Sequence, residues 1–255
     1  MLFTSPFESL PLPQDQTIWD ALERHARGTS AHDPAFICSV SDRVVTFAQM
    51  LAHAEHICAG LHARGVRKGD VVVLHSFNCI EYPVVFFALN RLGAVCSPSS
   101  PLFNAQELRD QAAVAKATAI ITHKTLAPVA LDAAELLGIR SDRVFTMAPS
   151  PADTGLVATE DLVKEAIPMP ALPRINPASV VLLPFSSGTT SRPKGVELTA
   201  RSLLAVAINF SYLDQPGKHT LGLLPFFHIM ATMAYHSCVY MGKATVVMPR
   251  FEPDK

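Results

Sequence analysis

One stretch of the chain gathers the groups that hold anions. It reads Val181-Leu-Leu-Pro-Phe-Ser-Ser-Gly-Thr-Thr-Ser-Arg-Pro-Lys-Gly-Val-Glu197. An apolar run ends at Phe185, and Ser186, Ser187, Gly188, Thr189, Thr190 and Ser191 follow. Small hydroxyl residues and glycine let successive backbone N–H groups turn inward and form an anion-binding nest. The hydroxyls add donors, and Lys194 adds a compact charge suited to a phosphate. A loop after the carboxyl end of a parallel strand is also where α/β folds place ligands. The nucleotide loop G-x-x-x-x-G-K-[ST] is approached but not met. Pro193 stands where its second glycine belongs, and Gly195 stands where its magnesium-binding hydroxyl belongs. That excludes a P-loop phosphotransferase. A second feature is His228, which follows Leu224-Pro-Phe-Phe. By residue type alone, Phe226 and Phe227 either line an apolar pocket or pack in the core. His53, Glu55 and His56 miss the H-E-x-x-H spacing and read as a solvated helix face.

The run from Ser186 to Val196, Ser-Ser-Gly-Thr-Thr-x-x-Pro-Lys-Gly-Val, resembles the phosphate-loop signature of the adenylate-forming superfamily. Its members include acyl- and aryl-CoA synthetases, luciferases and peptide-synthetase adenylation domains. Other stretches are similar to that family in the same order: Val45-Thr46-Phe47; Ala88-Leu-Asn-Arg-Leu-Gly-Ala-Val95 with Pro98, Pro101 and Glu107-Leu108; and Leu224-Pro-Phe-Phe-His228. The last is most like 4-coumarate–CoA ligases, luciferases and related medium- to long-chain acyl-CoA synthetases.

The resemblance implies ATP-dependent activation of a carboxylic acid, fatty or aromatic, to an acyl-adenylate and then a CoA thioester. ATP, Mg²⁺ and CoA would be the cofactors. Thr189, Thr190 and Lys194 would hold phosphates, Ser186, Ser187 and Gly188 would shape the loop, and His228 would border the acyl site. Two positions depart from the family pattern: Ser191 replaces a glycine and Ala200 replaces a histidine. The family's adenine, ribose and hinge motifs and its late catalytic lysine have no counterpart here, so the expectation is an amino-terminal portion of such a ligase. The alternative is a non-catalytic remnant that binds nucleotide weakly or acts as an interaction protein.

The elements that must position these residues alternate. A helix is expected from Thr17 to Arg27. Thr46 and Gln49 form a capping-box pair before Met50, Ala54, Ile57 and Leu61, which recur at helical spacing. Strand-like runs at 71–74, 94–96, 118–122 and 144–147 alternate with helical runs at 81–92, after Asn104, and at 127–137. This predicts βαβ units and mostly parallel sheet. Six prolines punctuate 148–177. Alternation resumes with strands at 179–185, 221–224 and 244–248 and helices at 199–211 and 229–240. The expected fold is α/β, with two mainly parallel sheets flanked by helices. The expected division is a first region at 1–147, a Pro-rich connector at 148–178 and a second region at 179–255. Ala244 to Met248 is expected to form an uncovered sheet edge that promotes self-association.

Composition narrows the function classes. The chain has 255 residues, 49% hydrophobic and 17% charged, which excludes a disordered protein. Its 21 basic and 22 acidic side chains give no electrostatic footprint for nucleic acid. Five scattered cysteines form no C-x-x-C pair and read as reduced thiols of an intracellular protein, cytoplasmic or peroxisomal. The stretch His219 to Gly242 lacks Lys, Arg, Asp and Glu, but Pro225, His228 and His236 interrupt it, so no membrane span is expected.

Overall fold

Several helices begin where short polar side chains satisfy free N–H groups. In α2 (Phe47–Ala63), Thr46 Oγ1 accepts from Gln49 N at 3.2 Å, and Gln49 Oε1 accepts from Thr46 N at 3.0 Å. Asn104 and Glu107 make the same reciprocal pair at the start of α4 (Ala105–Ala115). The other helices are α1 (Ile18–Ala26), α3 (Glu81–Leu92), α5 (Ala127–Leu137), α6 (Thr159–Glu165), α7 (Ala200–Tyr212) and α8 (Ile229–Met241). These come from a computed structural model that describes residues 10–148, 154–186, 193–213 and 216–249.

Two main sheets lie among the helices. One has six strands: β3 (Val71–His75), β4 (Val95–Ser99), β5 (Ala119–His123), β6 (Val144–Met147), β7 (Val180–Leu182) and β10 (Leu198–Thr199). Their order is β10-β7-β4-β3-β5-β6, parallel except for β10. Val72, Val73, Leu74, Ile120 and Ile121 are fully buried, so neighbouring positions on both sheet faces are covered. The other sheet has order β11-β12-β1-β2, with β1 at Pro34–Cys38, β2 at Val44–Thr46, β11 at His219–Gly222 and β12 at Ala244–Val247. Its first three strands are parallel. Phe36, Phe86, Phe87, Tyr82, Phe226 and Tyr235 belong to one core that draws on both sheets and the helices between them.

The α/β class and the mainly parallel sheets match the sequence expectation. Both sheets take strands from either side of the 148–178 stretch. Strand β1, from the first region, pairs with β12 in the sheet of the last, and β2 pairs with β1 at the edge. Strands β7 and β10, from beyond the connector, extend the first region's sheet. The expected uncovered edge at Ala244 to Met248 is also corrected, because β12 lies between β11 and β1. The edge strand on that side is β11, where Leu221 is 58% exposed. The physical reason is that β1 and β2 carry weak sequence signals. Strand β1 opens on Pro34, which sheets tolerate at a first residue, and β2 is three residues long.

The connector is held to the body. Arg91 donates to the carbonyls of Pro173 and Leu172, Arg174 pairs with Asp20, and Leu172 and Ile175 pack on the core. No helix among the described residues is long and apolar enough to cross a membrane.

Candidate active site

The base of the Ser/Thr/Gly loop is a short antiparallel ladder, β8 (Phe185–Ser186) with β9 (Lys194–Gly195). Ser186 stands opposite Lys194, and both are exposed. Just before the ladder, Leu183 is fixed to β4. Its N–H donates to the Cys96 carbonyl at 2.8 Å, and its carbonyl accepts from Ser97 Oγ at 3.2 Å. Val196 N closes the base on the Pro184 carbonyl at 2.9 Å. Gly195 lets the ladder pack closely: a Cβ there would stand 3.2 Å from Leu183 Cδ1 and 3.4 Å from Phe185 Cζ. Ser187, Gly188, Thr189 and Thr190, which the sequence singles out, lie outside the described residues.

His228 lies in a second turn, at the carboxyl end of β11. Gly222 ends that strand beside β12, where a Cβ would stand 2.8 Å from Thr245 Cγ2. Phe226 is 1% exposed, and its ring packs 5.8 Å from that of Tyr82 and 5.2 Å from that of Tyr235. Phe226 is therefore a core residue. Phe227 is half-buried beside the His228 ring, with ring centres 4.5 Å apart. The His228 N–H donates to the Pro225 carbonyl, and its own carbonyl accepts from Ala231 N and Thr232 N at the start of α8. This leaves the His228 side chain exposed at the N-terminus of a 13-residue helix, an environment that favours negative charge. A cavity of about 40 Å³ under this turn, lined by Gly222, Phe226, Tyr235 and Thr245 among others, has room for little more than one water.

The two turns share one end of the molecule. Asn78, three residues after β3, bonds the backbone of Leu224 and Met248, which follow β11 and β12. The carboxyl ends of both sheets thus meet, as the ligand crevices of α/β folds require. Structure brings Ser186 and Lys194 together. No hydrogen bond, ion pair or ring contact among the described residues joins either of them to His228.

Other chemistry-bearing groups are packed away. Burial pushes the thiols of Cys79 and Cys96 far above the ordinary range and that of Cys58 up to about 12, so none is a ready thiolate. Burial lowers His75 and His236 to about 4. His75 Nδ1 is 3.1 Å from Thr122 Oγ1, and His236 Nδ1 is 2.6 Å from the Thr232 carbonyl. No group of three or more metal-ligating side chains occurs among the described residues.

A family model described as "AMP-binding enzyme" matches residues 22–255. The chain belongs to the AMP-binding enzyme family. It is 30% identical to 4-coumarate–CoA ligase 4 of Arabidopsis thaliana, over 98% of this chain and 46% of that protein. It is 34% identical to 4-coumarate–CoA ligase 2 of Oryza sativa subsp. japonica, over 86% of this chain and 41% of that protein. The chain therefore spans less than half the length of these relatives. Among solved structures, a long-chain-fatty-acid-CoA ligase from Archaeoglobus fulgidus superposes with a TM-score of 0.86 at 24% identity, covering 99% of this chain and 50% of that one. An anthranilate CoA ligase in complex with anthranoyl-AMP gives 0.83 at 23% identity, covering 94% of this chain and 46% of that one. At these identities the likeness shows the fold of AMP-binding family members.

Proposed function

We propose that this chain carries the phosphate-binding loop and one wall of the acyl site of an AMP-forming acid–CoA ligase that uses an aromatic or fatty acid. The observation that carries this reading is the shared carboxyl end. Ser186 and Lys194, the described members of the family's phosphate loop, pair in a ladder fixed to β4, and the Phe227–His228 turn opens from the neighbouring sheet at the same end. A substrate carboxylate would attack the α-phosphorus of ATP and release pyrophosphate. The CoA thiol would then displace AMP and form the thioester. Both steps exchange groups between anions, so positioning and charge neutralisation carry the catalysis and no nucleophilic side chain is needed.

The residues fit those demands. Lys194 is an exposed cation at the mouth of the loop, and Ser186 opposite it is an exposed hydroxyl. Thr189, Thr190 and Lys194 would hold the β- and γ-phosphates, with Ser187 and Gly188 shaping the nest. Mg²⁺, when bound with ATP, supplies further neutralisation of phosphate charge. His228, at the start of α8, would border the carboxylate.

The test is carboxylate-dependent ATP–pyrophosphate exchange by the complete gene product, against a panel of hydroxycinnamic, benzoic and fatty acids. Exchange with at least one acid is expected. Lys194→Ala should weaken it roughly ten- to a hundredfold, because a charge-assisted contact contributes about 1.5–3 kcal/mol. Thioester formation from supplied acyl-adenylate should change little, since pyrophosphate has already left. Mg·ATP binding without exchange from any acid would favour the non-catalytic alternative. Intact exchange in Lys194→Ala would remove the phosphate role from this loop.

A further inference from the structure

Asn78 makes three hydrogen bonds, all to backbone distant in sequence. It is 7% exposed and lies between β3 and α3. Its Nδ2 donates to the Leu224 carbonyl at 3.0 Å and to the Met248 carbonyl at 3.2 Å. Its Oδ1 accepts from Phe226 N at 2.7 Å. A carboxamide is the side-chain group that offers two donors and an acceptor in one plane. Turning it over would face an oxygen to two carbonyls and an NH₂ to an N–H, so these partners fix its orientation.

The bonds connect two frames. Asn78 follows β3, and the phosphate-loop base is tied through Leu183 to β4. Strands β3 and β4 are adjacent and in register from Val71 opposite Val95 to His75 opposite Ser99. The position of the loop base relative to the His228 turn is therefore set across two neighbouring strands. On one side the link is backbone pairing; on the other it is the Asn78 carboxamide. Leu224 and Phe226 immediately precede Phe227 and His228, so holding their backbone aims the turn and the first residues of α8. The ring of Phe226 anchors the turn in the core, but an apolar contact is non-directional and cannot by itself fix the backbone's rotation.

We propose that Asn78 is a positioning residue: its carboxamide holds the Leu224–His228 turn in register with the phosphate-loop base, and so governs use of the carboxylic acid rather than binding of ATP. The kinetic half of this proposal rests on the ligase reading above; the geometric half does not.

The geometric half is tested on the 255-residue chain by NMR. The Phe226 amide should exchange slowly in the native chain and in Asn78→Asp, which keeps the acceptor. It should exchange at least about tenfold faster in Asn78→Ser, where that acceptor is withdrawn. The His228 imidazole resonances should move in both variants. Unmoved His228 resonances would overturn the proposal whatever the kinetics show.

The kinetic half uses pyrophosphate exchange by the complete gene product. Asn78→Ser should raise KM for the acid or lower kcat by about tenfold, the usual scale of one lost buried hydrogen bond, with KM for ATP within about twofold of native. Asn78→Asp should be poor at pH 8 and recover as pH falls. Its carboxyl, facing two carbonyls, can donate only when protonated. Equal damage to acid and ATP use, or a lowered melting temperature with unchanged kinetic constants, would reduce Asn78 to a structural role. An absence of exchange in the native protein would count against the ligase reading, and the NMR result would still decide the geometry.

Discussion

The turn at Gly222–His228 and the loop base at Leu183–Gly195 reach the same end of the molecule by opposite means. The turn is anchored by side chains: the Phe226 ring sits in the aromatic core, Asn78 holds three backbone groups, and Gly222 lies under Thr245. The loop base is anchored mainly by backbone: a two-residue ladder, Leu183 N on the Cys96 carbonyl and Val196 N on the Pro184 carbonyl, with one side-chain bond from Ser97 Oγ and exposed side chains at Ser186 and Lys194. Under the proposed ligase reading, the contrast fits what each end would present. A turn that aims one imidazole needs its direction fixed. A loop that wraps phosphates works through its own N–H groups, which side-chain packing would only obstruct.

The largest test of this contrast is Phe226→Ala. It should lower stability by about 3–5 kcal/mol in denaturant unfolding, because a fully buried ring leaves a cavity between Tyr82 and Tyr235. A loss below about 1 kcal/mol would mean that the turn is not core-anchored.

Acid should act next. His75, at the end of β3, and His236, in the helix that His228 opens, are neutral in the fold, with pKa values near 4 against 6.5 when unfolded. The unfolded chain therefore binds more protons between those values. Their contribution is complete above pH 6.5 and lost as pH falls toward 4, on the order of 3 kcal/mol each. Unfolding followed from pH 7 to pH 4 should show this slope, and His75→Gln should flatten it. A native chain of constant stability over that range would contradict the burial of both rings.

Paired glycine substitutions give a finer comparison. Gly222→Ala should cost about 1–3 kcal/mol, since its Cβ meets Thr245 Cγ2 at 2.8 Å and the Val246 carbonyl oxygen at 3.2 Å. Gly195→Ala meets only side-chain atoms of Leu183 and Phe185 and should cost less than about 0.5 kcal/mol. Equal costs in thermal melts would erase the distinction between the two anchors. The smallest effect belongs to Lys194→Ala, which should leave the melting temperature nearly unchanged because the side chain is exposed. A marked loss of stability there would make Lys194 a structural residue.

Local chemistry made much of this protein legible in advance. The Thr46–Gln49 and Asn104–Glu107 pairs mark helix starts because their bonds close within one turn. The helices at Glu81–Leu92 and Ala127–Leu137 have the bounds that periodicity and Gly93 or Gly138 suggest. The Ser186–Val196 signature and the Phe227–His228 pair are continuous in sequence, so their residue types are visible without a fold. Tertiary structure alone decided the rest. Strand β1, with β2 paired to it, joins a parallel sheet only by meeting β12, some two hundred residues away in sequence. Phe226 becomes core and Phe227 borders His228, although the two are neighbours of one type. Asn78 gives no local sign of its role because its three partners lie 146 to 170 residues downstream. Capping and periodicity act over a turn or two of chain and can be read there. Sheet order, burial and a side chain's distant partners exist only once the whole chain has closed on its core.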